Sequence, residues 1–588
     1  MTIPCDPELR VRLVRVAQQG AAPDLLLRGG EVWSPFTGEV LRADVAVCGD
    51  RVALVAPWQG PVEQTTEVVD AAGRVLVPGY LEPHTHPWPF LNPLSLGEGV
   101  VCRGTTSLVV DNLLLVLALG TDRFAELAAD LSRRSLPHLF WVARIASQSR
   151  FSGEEEVFSE DAVAGLLGRP EFLATGETTR WVDLLDADHG PRLLRLVERA
   201  RSLGCYVDGH TSGASPRRLP ALAAAGLRTC HEAITAEEAL ARLRQGLWVL
   251  LRSSSLREDL VHLLPVLERT AFADRFAYTT DGAKAHHLEQ VGHIDHLIRM
   301  ALEGGVDPGV AYRMATLNPA TCLGLEGDLG AIAPGRVAHV NVLTSLADPT
   351  PRAVVCRGRV VAVDGRLTAA APSETFPWAS AYAGGEPHLL EWGPEVFPLP
   401  PTAPDPFPTA QLVNAAINRE ILVPLRPEGE GYWPAAEDAL VVALGGRDGG
   451  WVARGVVGNL APGLAALAAT YSSNGGFLVA GRSPRAMARV LGELRACGGG
   501  MVVLPVGGDL RRFPLPLAGL QLPGGFADAC VAAKGFQQTL ADCGYSHADP
   551  NYTLLFLSCD SLPDLRLTRA GWVRIKTGEV LLPSSVLG

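Results

Sequence analysis

The sequence predicts an α/β protein: a TIM-type (β/α)8 barrel with a small composite β-sandwich domain and a separate C-terminal α/β domain. Three observations predict it. The chain has 588 residues, more than one core organises when domains run to roughly 100–250 residues. Between residues 75 and 329, strand-like apolar runs alternate eight times with helix-period segments, the arithmetic of a barrel of roughly 250 residues. Short alternating strands with Gly and Asp breaks flank that block on both sides.

Taken in order, "MTIPCDPELRVRLVRVAQQG" lacks the apolar core of an export leader and reads as a short amphipathic helix. Residues 24–74 contain "DLLLRGGEVWSP", "EVLRADVAVCGDRVALVAP" and "TEVVDAAG", the first part of the sandwich. The barrel, 75–329, has its strands in "VLVPGYLEPH", "TTSLVVDN", "HLFWVARIAS", "EFLATGE", "CYVDGH", "LRTCH", "LWVLLRSS" and "RFAYTTD". Segments such as "DRFAELAADLSRR" and "PRLLRLVERARSLG" supply the intervening helices. Residues 330–368 are β-rich again and rejoin the N-terminal strands. "GAIAPG" (330–335) there is a returning turn, since no Lys-Ser/Thr follows to make a phosphate loop. A Pro/Gly/Glu-rich stretch, 371–408, reads as a linker. Residues 409–588 form the C-terminal domain.

Composition removes whole classes of function. Hydrophobic residues make up 47% and charged residues 19%, which describes a packed globular protein. The net charge of -12 and the lack of a long basic run exclude a nucleic-acid backbone as partner. "LLLVLAL" (113–119) is far short of the ~20 residues of a membrane span. The 11 cysteines are odd in number, scattered and without a CxxC pair. That fits the reduced cytoplasm, with no disulfide framework and no zinc knuckle. Cys230, beside His231, reads as a small buried residue.

Side chains at the C-terminal ends of barrel strands converge on one face. His84 and His86 end the first expected strand, Glu177 the fourth, His210 the fifth, His231 the sixth and Asp281 the eighth. Four of the 14 histidines in the chain thus meet two carboxylates in one mouth. Residues i and i+2 of a strand share a face, so His84 and His86 can reach one ion. Imidazole with carboxylate suits Zn, Mn, Fe or Ni rather than Ca or Mg. Such a cation lowers the pKa of its bound water from about 15.7 to about 7. Asp281 is the candidate to take and return the water's proton, and Glu177 can bridge two metals.

These residues resemble the amidohydrolase superfamily, and the whole chain is similar to a divergent member of the adenine deaminase family. The resemblance rests on "PGYLEPHTH", "GHTSGAS", "AAGLRTCHEAITAEEAL", "TTDG", "MATLNPA" and "GAIAPGRVAHVNVL" in the barrel. It extends to "FPLPLAGL" and "LLFLSCDSLPDLRLT" near the C-terminus. It implies hydrolysis of adenine to hypoxanthine and ammonia at a binuclear Mn(II) or Fe(II) centre, with Zn(II) as the alternative. His84, His86, Glu177, His210, His231 and Asp281 would then be the metal ligands, and Glu177 and Asp281 catalytic. The sequence departs from the family pattern at "PWPF" (87–90), at "DNLL" (111–114), where Leu113 and Leu114 replace a polar pair, and at "SSNGG" (472–476). Two further readings stay open: another amino-heterocycle or cyclic amide as substrate, or a purine-binding homologue with impaired turnover.

Trp88 and Trp181 are candidates to stack on a purine. Asp111, Asn112 and Arg252 are candidates to orient it. Glu232 reads as a supporting acid, His286 and His287 as residues of the mouth or surface, and His293 and Asp295 as structural. A homo-oligomer is expected.

Overall fold

The computed structural model describes residues 3–87, 89–446 and 449–587. Each of the eight expected runs contains a strand: β1 (Tyr80–Thr85), β2 (Thr105–Val110), β3 (His138–Ala143), β4 (Phe172–Thr175), β5 (Tyr206–Val207), β6 (Thr229–Cys230), β7 (Trp248–Arg252) and β8 (Phe276–Thr279). β1 to β5 form one parallel sheet in sequential order, and β6 to β8 a second. Hydrogen bonds bring the two together: Arg228 N–H donates to Val207 O at 2.9 Å, and Thr279 Oγ1 to His84 O at 2.6 Å. The result is a TIM-barrel-like ring. Its strands are buried almost throughout, because helices cover one face and side chains fill the other.

The run "VLVPGYLEPH" is two strands, not one. Val75–Pro78 pairs with Leu25–Trp33 and Val340–Leu343 outside the barrel, and β1 begins only at Tyr80. A Cβ on Gly79 would lie 2.1 Å from Thr106 Oγ1, so glycine permits the close crossing between the two sheets.

The N-terminal and returning strands share one hydrogen-bonded sheet of nine strands, with Val340–Leu343 beside Val75–Pro78 at the join. The expected pairing of the two chain segments is present, but as one continuous sheet rather than two separate ones. The helix Pro7–Ala17, capped by Asp6, packs Leu13 and Val16 against it.

The stretch expected as a linker is tied down. Phe376, Trp378, Tyr382, Phe397 and Leu399 are buried, and Tyr382 Oη donates to Gln521 Oε1 at 2.9 Å. Aromatic and Leu residues among the prolines supply the burial that a free tether lacks.

The C-terminal region holds a second nine-stranded sheet, largely antiparallel, packed by the helix Pro484–Ala496. A three-stranded sheet (Leu565–Thr568, Gly571–Arg574, Glu579–Pro583) and the helix Pro550–Leu557 lie toward the barrel mouth. Among the described residues no helix is long and apolar enough to cross a membrane.

Candidate active site

The strand ends bring His84, His86, Glu177, His210, His231 and Asp281 into one cluster. Their ligand atoms fall into three overlapping groups, each within 4.8 Å: His84, His231 and Asp281; His84, His86 and Glu177; Glu177, His210 and His231. The His84 and His231 rings stack at 4.2 Å between centroids. Gly209 matters locally, because a Cβ there would lie 2.2 Å from Thr229 O. Glycine lets the end of β5 press against β6 and deliver His210 beside His231, 3.3 Å away.

Hydrogen bonding fixes which nitrogens point inward. Asp208, held ionised against burial by His84, accepts from His84 Nδ1 at 2.7 Å. The Asp111 carbonyl accepts from His86 Nδ1 at 3.0 Å. Both rings therefore turn Nε2 inward, to 3.2 Å and 3.3 Å from the same oxygen, Asp281 Oδ1. Lone pair against lone pair is repulsive unless a cation lies between them. Burial opposes charge on these rings, yet the surrounding carboxylates outweigh it. His84 is driven well above the usual imidazole range, and His86 and His210 are pushed up to about 9. Glu177 and Asp281 are held well below the carboxylate range, burial being overcome by His210 and Arg144 for Glu177 and by the His231, His84 and His86 rings for Asp281. A site that draws protons this strongly has the field and donors a divalent cation needs. His231 Nε2 faces Glu177 Oε2 at 3.3 Å and Asp281 Oδ1 at 3.8 Å. The donor set fits one or two transition-metal ions.

The carboxylates are held from behind. Arg144 donates to Glu177 Oε1 at 2.9 Å, to Glu177 O at 2.7 Å and to Asp111 at 2.8 Å. Breaking such a buried pair costs about 3–5 kcal/mol. Glu177 Oε2 is left facing His210 at 2.7 Å and His231 at 3.3 Å. Arg252 donates to Asp281 Oδ2 at 2.7 Å and also bonds Glu232. Asp281 takes up the left-handed conformation, φ +54°, a strained backbone placed where the site needs its carboxylate.

The cluster opens into a cavity of about 640 Å³. His86, Glu177, His210, Glu232, Arg252 and Asp281 line its barrel side; the C-terminal region closes it with Asn414 to Ile417, Tyr552 and Phe556. The cavity is large enough for a single-ring or double-ring heterocycle.

Several expected site residues stand elsewhere. Asp111 and Asn112 do not line the cavity: Asp111 is spent on Arg144, and Asn112 heads the helix Leu113–Leu119 without a side-chain cap bond. Trp181 is turned into a neighbouring chamber, its Nε1 donating to Ser212 O at 2.9 Å with Arg218 across its ring. Trp88 lies outside the described residues. Arg252 does line the cavity. Glu232 also does, within 3.7 Å of His231 Nε2, closer to the chemistry than its place beside His231 suggested. His286 and His287 line a separate cleft with Lys284 and Lys534. His293 sits below the site, bonded to Thr105 Oγ1 at 2.8 Å. Ser473 of "SSNGG" joins a buried hydroxyl cluster with Ser149 and Ser558, linking the C-terminal region to the loop after β3. Sequence reasoning missed Asp208, Arg144 and Glu82. Glu82 is pushed up to about 7 by burial and accepts from Thr280 N and Oγ1 at 2.8 Å. "DGH" offered a signal for Asp208, two residues before His210; Arg144 offered none.

Residues 75–361 match the amidohydrolase family, and residues 415–579 match the adenine deaminase C-terminal domain. The barrel with its imidazole and carboxylate mouth thus defines an amidohydrolase. A relative from Halalkalibacterium halodurans is 31% identical over 590 residues, 99% of each chain. The adenine deaminase of Deinococcus deserti is 32% identical over 98% of each chain, and that of Moorella thermoacetica 30% over 96% of each. The chain belongs to the adenine deaminase family.

Proposed function

We propose that this protein hydrolyses adenine to hypoxanthine and ammonia in the cavity over Asp281. The observation that carries the reading is the convergence of His84 and His86 on Asp281 Oδ1, in a chain similar throughout its length to adenine deaminases. His84, His86, Glu177, His210, His231 and Asp281 would hold the metal, one or two ions of Mn(II) or Fe(II), with Zn(II) the alternative. When bound, the cation supplies hydroxide near neutral pH by acidifying water.

The protein's own groups do the rest. Asp281, fixed by Arg252 through Oδ2, accepts the proton of the attacking water and returns it to the departing amino group. Arg144 holds Glu177 so that Oε2 faces the cluster. Tyr552 and Phe556 cover the base and exclude bulk water. The changed segments "DNLL" and "SSNGG" support a second reading, in which the same hydrolytic centre acts on another amino-heterocycle or a cyclic amide.

The test is ammonia release from adenine by purified protein supplied with Mn(II), with guanine, cytosine and a hydantoin alongside. Release from adenine alone supports the first reading. Silence on adenine with release from another compound moves the assignment to the second.

A further inference from the structure

A second chamber, of about 1150 Å³, adjoins the metal cavity. Thr179, Ser212, Gly213 and Ser561 line both. Its walls are the loops after β3, β4 and β5 on one side and the C-terminal three-stranded sheet on the other. In a chain of net charge -12, this chamber is lined by five cations, Arg150, Arg180, Arg218, Arg569 and Lys576, against two carboxylates, Asp183 and Asp560.

The cations divide into a floor and a rim. Arg180 is the floor: its side chain is 6% exposed, it bonds Glu154 and lies 3.6 Å from Asp183, while Nη1 is buried without a hydrogen-bond partner. Arg150, Arg218, Arg569 and Lys576 form the accessible rim. Arg150 pairs with Asp183, and Lys576 with Asp564. Arg218 lies over the Trp181 ring at 5.5 Å, which orients its guanidinium without neutralising it. The Asp560 carboxylate is engaged by the Arg150 backbone N–H at 3.0 Å. Phe151, Val573, Ile575 and Val580 add apolar wall, room for more than a bare ion.

We infer that this chamber is a second binding site, for a small organic molecule bearing a phosphate group, placed beside the metal cavity. Guanidinium and ammonium groups lining one recess suit a phosphate dianion. The apolar wall suits its organic part. The inference does not depend on which base the metal cavity deaminates.

The test is calorimetric titration of the metal-loaded protein with ribose 5-phosphate, adenosine 5′-monophosphate, inorganic phosphate and, as control, ribose. Arg218→Glu and Arg569→Glu are run beside wild type, with Arg218→Gln and Arg569→Gln as controls, because the two guanidiniums lie over the Trp181 and Trp451 rings; unfolding midpoints check that each variant folds. The expected result is binding of both phosphorylated organic probes, no binding of ribose, and a loss of tenfold or more in affinity in at least one variant. Tighter binding of the nucleotide than of the sugar phosphate would place its base in the metal cavity; equal binding would place the whole ligand in the second chamber. The inference falls if only inorganic phosphate binds, or if both variants bind as wild type, since the anion then sits on the metal. Calorimetry reads this without turnover, so a failure here is distinct from a failure to deaminate adenine.

Discussion

At the carboxyl ends of the barrel strands, two buried imidazoles (His84, His231) and two half-buried ones (His86, His210) face Asp208, Glu177, Glu232 and Asp281. At the amino end of β3, His138 Nδ1 meets His339 Nε2 at 2.8 Å, with Arg51 and Arg357 as the nearby charges. Burial lowers the proton affinity of both sets. In the first, carboxylates reverse the effect at His84, His86 and His210, the last two rising to about 9, while burial and the neighbouring His84 ring keep His231 lowered. In the second, arginines add to it: His138 falls well below its usual value and His339 to about 3. The same residue type is a cation receptor at one end and a neutral packing pair at the other. Burial sets the downward direction, and neighbouring carboxylates decide where it is overturned.

The largest expected break in this contrast comes from His210→Ala. Metal content and turnover should fall together, turnover by ~10²-fold or more, with the unfolding midpoint of the metal-free protein little changed; normal metal content by elemental analysis would remove His210 from the ligand set. Asp281→Asn should keep much of the metal yet lower kcat by ~10²-fold or more; near-wild-type kcat would take the proton relay away from Asp281. Phe556→Ala strips apolar cover without touching the cluster. It should raise KM by about 5- to 20-fold, the equivalent of roughly 1–2 kcal/mol of lost burial, and a fall in kcat alone would contradict that role. His138→Leu should leave metal and kcat intact while costing about 1–3 kcal/mol of stability, because it strands His339; altered metal content would tie the two ends together.

The pH dependence of stability sharpens the contrast with opposite signs. His339 has a folded pKa below its unfolded value of about 6.5, so its contribution is present above pH 6.5. That contribution is lost as pH falls toward about 3. In metal-free protein His86 and His210 have raised folded pKa values, so theirs is present below pH 6.5 and lost as pH rises through about 9. Unfolding midpoints across pH 3–10 should show two limbs. His86→Ala should flatten only the alkaline limb and His138→Leu only the acid one. A limb unmoved by its own substitution would free that histidine from the titration.

Much of this was legible in the chain. The eight strands were readable because strands buried on both faces must be continuous apolar runs. The polar residue that ends such a run stands out: His84, His86, Glu177, His210, His231 and Asp281 were all visible that way. The boundary at Gly79 was not, since "VLVPGYLEPH" is apolar on both sides of the crossing. Nor was the packing of 371–408, where prolines masked the buried Trp378 and Tyr382.

The sequence by itself determined which strand ends carry imidazole and carboxylate, because side-chain identity and strand periodicity are local properties. Tertiary structure alone decided what those groups face. Arg144 and Asp208 come from other strands to hold Glu177 and His84, across 33 and 124 residues of chain. Tyr552 and Phe556 arrive from the C-terminal region to close the cavity. Trp181, an equally good stacking residue in the sequence, is turned away by a hydrogen bond to Ser212. Charge, tautomer and cover depend on through-space neighbours, and no local pattern records those.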